Sequence, residues 1–119
     1  MAGHFMIKKG ATYISNSWFE KGSAIGKAGS IYTEGVIPLV ITNVTFKNCK
    51  STSVGILNMV EINNNPVILS NIIFDGNVAD SSACMVANDI NITISNLTMI
   101  NNIANSNNLV EMFSTYLVS

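Results

Sequence analysis

One spelling recurs four times along the chain: Ile14-Ser15-Asn16-Ser17-Trp18-Phe19, Ile41-Thr42-Asn43-Val44-Thr45-Phe46, Leu69-Ser70-Asn71-Ile72-Ile73-Phe74 and Ile94-Ser95-Asn96-Leu97-Thr98-Met99. The shared asparagines stand 27, 28 and 25 residues apart. A unit of this size cannot bury its apolar face alone, so copies at a fixed period stack on one another as a solenoid.

Counting each copy from its aromatic (Phe19, Phe46, Phe74, with Met99 in the last) sorts the residues into columns. Position minus seven holds Thr12, Leu39, Val67 and Ile92, and minus five holds Ile14, Ile41, Leu69 and Ile94. Apolar, mostly branched residues at period two are the signal of a half-buried strand. The asparagine at minus three continues this inward row and suggests a bend. Strands in a sheet lie about 4.8 Å apart, so Asn16, Asn43, Asn71 and Asn96 would stack as an amide ladder. Position plus five is small throughout (Ala24, Ser51, Ala79, Ala104), which fits a tight corner. Positions plus eleven and plus thirteen (Ser30/Tyr32, Leu57/Met59, Met85/Ala87, Val110/Met112) read as another short strand.

Pro38 and Pro66 share position minus eight. Proline has no amide to donate and belongs at a strand's first residue or in a bend. A helical solenoid would need apolar residues at i, i+3, i+4 and i+7 over ten or more residues. Here the apolar runs are short and broken by Asn, Ser, Thr and Gly, which favour turns. The expected fold is all-β: a parallel β-helix (β-solenoid) of about four coils of 25–28 residues with an asparagine ladder. Residues 1–9 read as an N-terminal extension or incomplete coil. Residues 10–119 read as the repeat segment, expected to be part of a longer solenoid because neither end spells a polar cap.

The chain is 48% hydrophobic and 11% charged, with a net charge of −1. That content permits a core and argues against disorder. Its lysines are scattered and it has no arginine, so nothing points to nucleic acid. No stretch approaches the roughly 20 apolar residues of a membrane span. The start lacks the apolar core of a signal peptide, which leaves an intracellular protein or an incomplete segment; the second is expected.

Candidate chemistry is sparse. Cys49 and Cys84 fall at different column positions and read as unpaired thiols in or near the core rather than a disulfide. One histidine and no Cys-x-x-Cys leave no metal site, and no cofactor is implied. His4 lies outside the repeat and reads as a tail residue. The carboxylates Glu20, Glu34, Glu61, Asp75, Asp80, Asp89 and Glu111 are few and read as solvated surface charges rather than as the facing pair that glycoside hydrolysis needs. The chain is therefore expected not to be an enzyme. Thr42, Thr45, Thr93 and Thr98 do not form the regular rank of an ice-binding face. Sequons occur at Asn43, Asn91 and Asn96. Asn43 and Asn96 belong to the ladder, where a buried amide could carry no sugar, so Asn91 is the expected glycan acceptor.

The unit Leu69-Ser70-Asn71-Ile72-Ile73-Phe74-Asp75-Gly76-Asn77-Val78-Ala79 resembles the repeats of pectin-lyase-like right-handed parallel β-helices. It is especially similar to those of polymorphic outer-membrane-type surface proteins and of repetitive surface proteins of protists. Phe-x-x-Asn is complete only at Phe74/Asn77; Gly22 and Cys49 replace the asparagine elsewhere, and Met99 precedes Asn102. The acidic and basic clusters of enzymatic members map onto no position. The resemblance implies a right-handed parallel β-helix fold.

The leading expectation is a non-catalytic structural or adhesive segment of an extracellular or cell-surface protein. Open strand edges would pair with further coils or with copies of itself, and end-to-end assembly would build a filament. The alternatives are a polysaccharide-binding or polysaccharide-cleaving fragment, with carbohydrate as partner, and a scaffold subunit of a large assembly.

Overall fold

The computed structural model describes residues 2–25, 28–35, 38–52, 55–106, 108–113 and 116–118. All of its elements are strands: β1 (Phe5–Ile7), β2 (Thr12–Glu20), β3 (Ser23–Ala24), β4 (Ile31–Glu34), β5 (Leu39–Lys47), β6 (Lys50–Ser51), β7 (Leu57–Asp75), β8 (Val78–Ala79), β9 (Ser82–Ile100), β10 (Ile103–Ala104), β11 (Asn108–Phe113) and β12 (Tyr116–Val118). Every pairing between them is parallel. An eight-stranded sheet runs β1-β4-β7-β5-β2, with β9 on β7 and with β11 and β12 on β9; a narrow sheet runs β10-β8-β6-β3. β7 and β9 each carry the chain from the last face of one coil into the first face of the next. The result is a parallel β-solenoid. Four copies of the repeat stand in one stack, so the chain makes about three turns from first to last, slightly fewer than the four coils expected.

The register follows the sequence columns. Ile14 pairs with Ile41, Ile41 with Leu69 and Leu69 with Ile94; Phe19, Phe46, Phe74 and Met99 align in the same way. Leu39, Ile41, Phe46, Val67, Leu69 and Phe74 are all fully buried. Phe46 lies 5.6 Å from Phe19 and 5.0 Å from Phe74, with interplanar angles of 20° and 12°. Such a stacked aromatic column contributes beyond its buried area. The small column at plus five also faces inward, with Ala24, Ser51, Ala79 and Ala104 buried where the narrow sheet closes the corner.

Two column readings need correction. Ile31 and Thr33, not Ser30 and Tyr32, pair with Leu57 and Met59. The first coil holds one more residue between its aromatic and this strand, and periodic counting cannot see an insertion inside a turn. The same shift puts Ser30 beside Ile56 and Cys84. Also, the ladder asparagines do not face inward. Along β5 the pattern of buried positions is Leu39, Ile41, Val44 and Phe46, so Thr42 and Asn43 both point outward. The cause is backbone conformation. Asn16, Asn43, Asn71 and Asn96 have φ of 50°, 54°, 55° and 55°. A single left-handed residue turns the strand and shifts the alternation by one.

A second left-handed column lies five residues later, at Lys21, Asn48, Gly76 and Asn101, with φ of 60°, 52°, 68° and 55°. Glycine and asparagine occupy that region readily, whereas other L-residues pay for it. Lys21 is the misfit. Its side chain is 77% exposed and its nearest carboxylate, Glu20, stands 4.0 Å away on the surface. Such a pair adds little. Replacing Lys21 by asparagine is therefore expected to stabilise the fold by about 1 kcal/mol, read as a higher denaturation midpoint with an unchanged slope.

Candidate functional site

The chemistry of this molecule is concentrated in its asparagines, which form two ladders rather than one. The outer ladder follows the first bend: Asn43 Nδ2 donates to Asn16 Oδ1 at 3.1 Å, and Asn96 Nδ2 donates to Asn71 Oδ1 at 2.8 Å. In both bonds the later coil donates to the earlier. All four of these asparagines are solvent-exposed. A neighbouring hydroxyl column adds Ser95 Oγ to Ser70 Oγ at 3.2 Å.

The inner ladder stands at plus three, and the first column reading did not identify it. Asn77 is fully buried. Its Oδ1 accepts the Cys49 amide at 2.9 Å, and its Nδ2 donates to the Phe46 carbonyl at 3.0 Å and to Asn102 Oδ1 at 2.9 Å. Asn102 Oδ1 also accepts the Asn77 amide at 2.9 Å, and Asn102 Nδ2 donates to the Phe74 carbonyl at 2.8 Å. One rule covers both residues: the amide oxygen takes the backbone N–H of the preceding coil's plus-three residue, and the amide nitrogen returns to the preceding coil's aromatic carbonyl. These backbone groups face the interior at a bend, where no strand partner can reach them. The available signal was Phe-x-x-Asn, visible at Phe74/Asn77 but interrupted by Cys49 and Gly22.

Cys49 occupies the same column with a weaker donor. Its Sγ lies 3.7 Å from the Phe19 carbonyl and 3.6 Å from that of Lys47. Cys49 and Cys84 are free and buried, as expected from their sequence positions. Burial pushes the Cys49 thiol up, against the lowering effect of the backbone hydrogen bonds around it. Desolvation pushes Cys84 to about 12. Both are packing groups, held neutral. Asparagine at position 49 would extend the inner ladder, with Nδ2 on the Phe19 carbonyl and Oδ1 on the Gly22 amide. Cys49→Asn is expected to raise stability by about 1–2 kcal/mol in thermal or chemical denaturation.

His4 is not a loose tail. Its Nδ1 lies 2.8 Å from Ser30 Oγ, its Nε2 lies 3.2 Å from the Glu20 carbonyl, and its ring lies 5.5 Å from that of Phe19. Phe5 meets Phe19 edge-on at 5.7 Å. Gly22 leaves the room for this, because a Cβ there would meet the His4 ring at 2.5 Å.

The remaining expected residues fall as follows. Asn91 lies on β9, exposed, in register with Pro66 and Tyr116. Asn43 and Asn96 are exposed as well, so burial does not separate them from Asn91 as sequon positions. Tyr32 donates to Glu34 at 2.6 Å, Asn105 to Asp80 at 2.7 Å and Ser81 to Glu111 at 3.2 Å. Glu20 and Asp75 flank Lys47 in one outward column. The side chains of Glu61 and Asp89 lie outside the described residues. Among the described residues, no three His, Cys, Asp or Glu side chains gather as a metal site, and no helix is long and apolar enough to cross a membrane. No protein family, curated protein or solved structure matches the chain.

Proposed function

We propose that this chain is a non-catalytic structural or adhesive segment of an extracellular or cell-surface protein, related to the surface-protein repeats that its 69–79 unit resembles. The observation that carries the reading is the rung-to-rung bonding of equal positions on both sides of the wall. Asn43 holds Asn16 and Asn96 holds Asn71 outside, while Asn77 joins Cys49 and Asn102 inside. A wall tied in this way resists bending and sliding between coils, which suits a spacer better than a reaction centre. The described carboxylates Glu34, Asp80 and Glu111 accept bonds from neighbouring side chains, an arrangement that serves the surface.

A second reading, carbohydrate binding, draws on Tyr13 and Trp18, which are 69% and 62% exposed on the outer wall beside the asparagine and serine columns. Aromatic faces next to amides and hydroxyls are the usual furniture of sugar sites. The two readings separate cleanly in a screen of plant, bacterial and animal polysaccharides. The structural reading expects neither release of reducing or unsaturated sugars nor retention on any polysaccharide column; sugar release would overturn it. Protease shaving of intact source cells tests the setting, with cleavage of the chain expected and full protection contradicting a surface location.

A further inference from the structure

We infer that Asn43 and Asn96 are built as acceptors for N-linked glycans, with Trp18 and Ile73 on the alternate rungs as apolar seats for the sugars. The setting, passage through a secretory compartment, rests on the surface reading above; the geometry comes from the outer wall itself. Burial would bar both positions from carrying a sugar, and neither is buried. The left-handed bend is the cause. With φ of 54° and 55°, Asn43 and Asn96 turn outward. Alternation then resumes, so Val44 and Leu97 turn inward while Thr45 and Thr98 return to the outer face. Amide and hydroxyl of each Asn-x-Thr unit thus share the solvent side.

The ladder survives the modification. An asparagine carries two N–H bonds on Nδ2. Asn43 and Asn96 each donate one to the preceding rung, at Asn16 Oδ1 and Asn71 Oδ1. A sugar replaces one N–H and leaves the other for that bond. In both pairs the sequon residue is the donor, while the acceptors Asn16 and Asn71 spell no sequon. Transfer comes from a polyprenyl-pyrophosphate-linked oligosaccharide on a membrane oligosaccharyltransferase. Nδ2 attacks the anomeric carbon, and the N–C bond forms as the C–O bond to phosphate breaks. Polyprenyl pyrophosphate departs with that electron pair, and Nδ2 gives one proton to a base of the transferase. The transferase acts on the extended chain, so the fold decides whether the sugars can be carried afterwards.

Alternation along the stack carries the inference furthest. The ladder reads bare, sequon, bare, sequon at Asn16, Asn43, Asn71 and Asn96. Neighbouring rungs lie about 4.8 Å apart, too close for two sugars side by side, whereas alternate rungs lie about 9.6 Å apart and leave room. The column two residues further on alternates in step: Trp18, Thr45, Ile73 and Thr98 stand in register. On the bare rungs it holds large apolar side chains, Trp18 at 62% and Ile73 at 39% exposed. Single exposed apolar residues are ordinary, but two in one column, each beside a sequon threonine, mark a surface that something covers. A sugar on Asn43 has Trp18 on one side and Ile73 on the other, and a sugar on Asn96 has Ile73. The apolar face of a hexosamine ring packs on such groups. Lys47 lies over the Trp18 ring at 5.6 Å yet leaves it mostly open.

The test routes the full chain into a eukaryotic secretory pathway with a cleavable leader, which imposes the compartment. Peptide mass spectrometry after enzymatic glycan release in heavy-oxygen water reads each asparagine. Asn43 and Asn96 should be modified in most molecules of the folded, secreted product. Bare Asn43 and Asn96, or modification at Asn91 alone, overturns the inference. Trp18 is the one tryptophan of the chain, so its fluorescence reports on the seat. Acrylamide quenching should fall in the glycosylated chain relative to the same chain made bare in bacteria. It should stay low in Thr98→Val, which removes only the Asn96 sequon. Equal quenching with and without sugar removes Trp18 as a seat and overturns the inference. Ile73→Thr gives Asn71 a sequon and fills the gap between the two sugars. Its bare form should melt close to the bare parent, whereas its glycosylated form should melt below the glycosylated parent or fail to be secreted. A triply modified chain as stable as the parent overturns the alternation. None of these readouts depends on where the source cell keeps the protein, so protection in the shaving experiment and failure here are separate results.

Discussion

Replacing Asn77 by alanine is expected to lower the unfolding free energy by about 3–5 kcal/mol, the sum of two or three buried partners left unmade at about 1–3 kcal/mol each. The side chain is fully buried and supplies one acceptor to the Cys49 amide and donors to the Phe46 carbonyl and Asn102 Oδ1. Alanine strands the Cys49 N–H inside a bend, where water cannot replace the lost oxygen without opening the coil. For a domain whose whole margin is about 5–15 kcal/mol, a loss of this size removes a large share. Urea denaturation followed by circular dichroism measures it as a fall in midpoint. Asn102→Ala should cost less, because Asn102 is only partly buried and sits on the last rung. Equal costs for the two variants would mean that the inner ladder is not what holds these bends.

Much of the architecture was legible because a solenoid repeats its packing in its spelling. Strand, register and buried columns at minus seven, minus five, zero and plus five all follow from residues that must meet their own kind on the next coil. The direction of the asparagine column was not legible. Alternation extrapolates inward through minus three, and only the left-handed φ of Asn16, Asn43, Asn71 and Asn96 turns it out. The sequence hint was present at the second bend: Lys21, Asn48, Gly76 and Asn101 include two asparagines and a glycine, the residues that accept that conformation. The inner ladder was obscured because Cys49 and Gly22 interrupt it. The packing of residues 4 and 5 was hidden for another reason. His4 and Phe5 reach Phe19 through tertiary contact, and no local pattern encodes that.

Phe46→Ala is expected to cost about 3–5 kcal/mol, the range for truncating a buried aromatic where neighbours cannot collapse into the space. Phe46 is clamped between Phe19 and Phe74 at 5.6 and 5.0 Å, and its backbone is pinned by β2 on one side and β7 on the other. The flanking rings cannot close the gap, because doing so would pull strands off their spacing. Phe19→Ala makes the same chemical change one rung higher, where the ring is only partly buried and stacks on one phenylalanine. Its cost should be about half, roughly 1.5–2.5 kcal/mol, because it stacks on one phenylalanine where Phe46 stacks on two. The comparison measures nearest-neighbour coupling directly, since in a one-dimensional stack an interior rung has two interfaces and an end rung has one. Thermal unfolding of the two variants beside the parent gives both numbers. Should Phe19→Ala prove as damaging as Phe46→Ala, the His4 and Phe5 rings against Phe19 would be supporting it as fully as a second stacked phenylalanine.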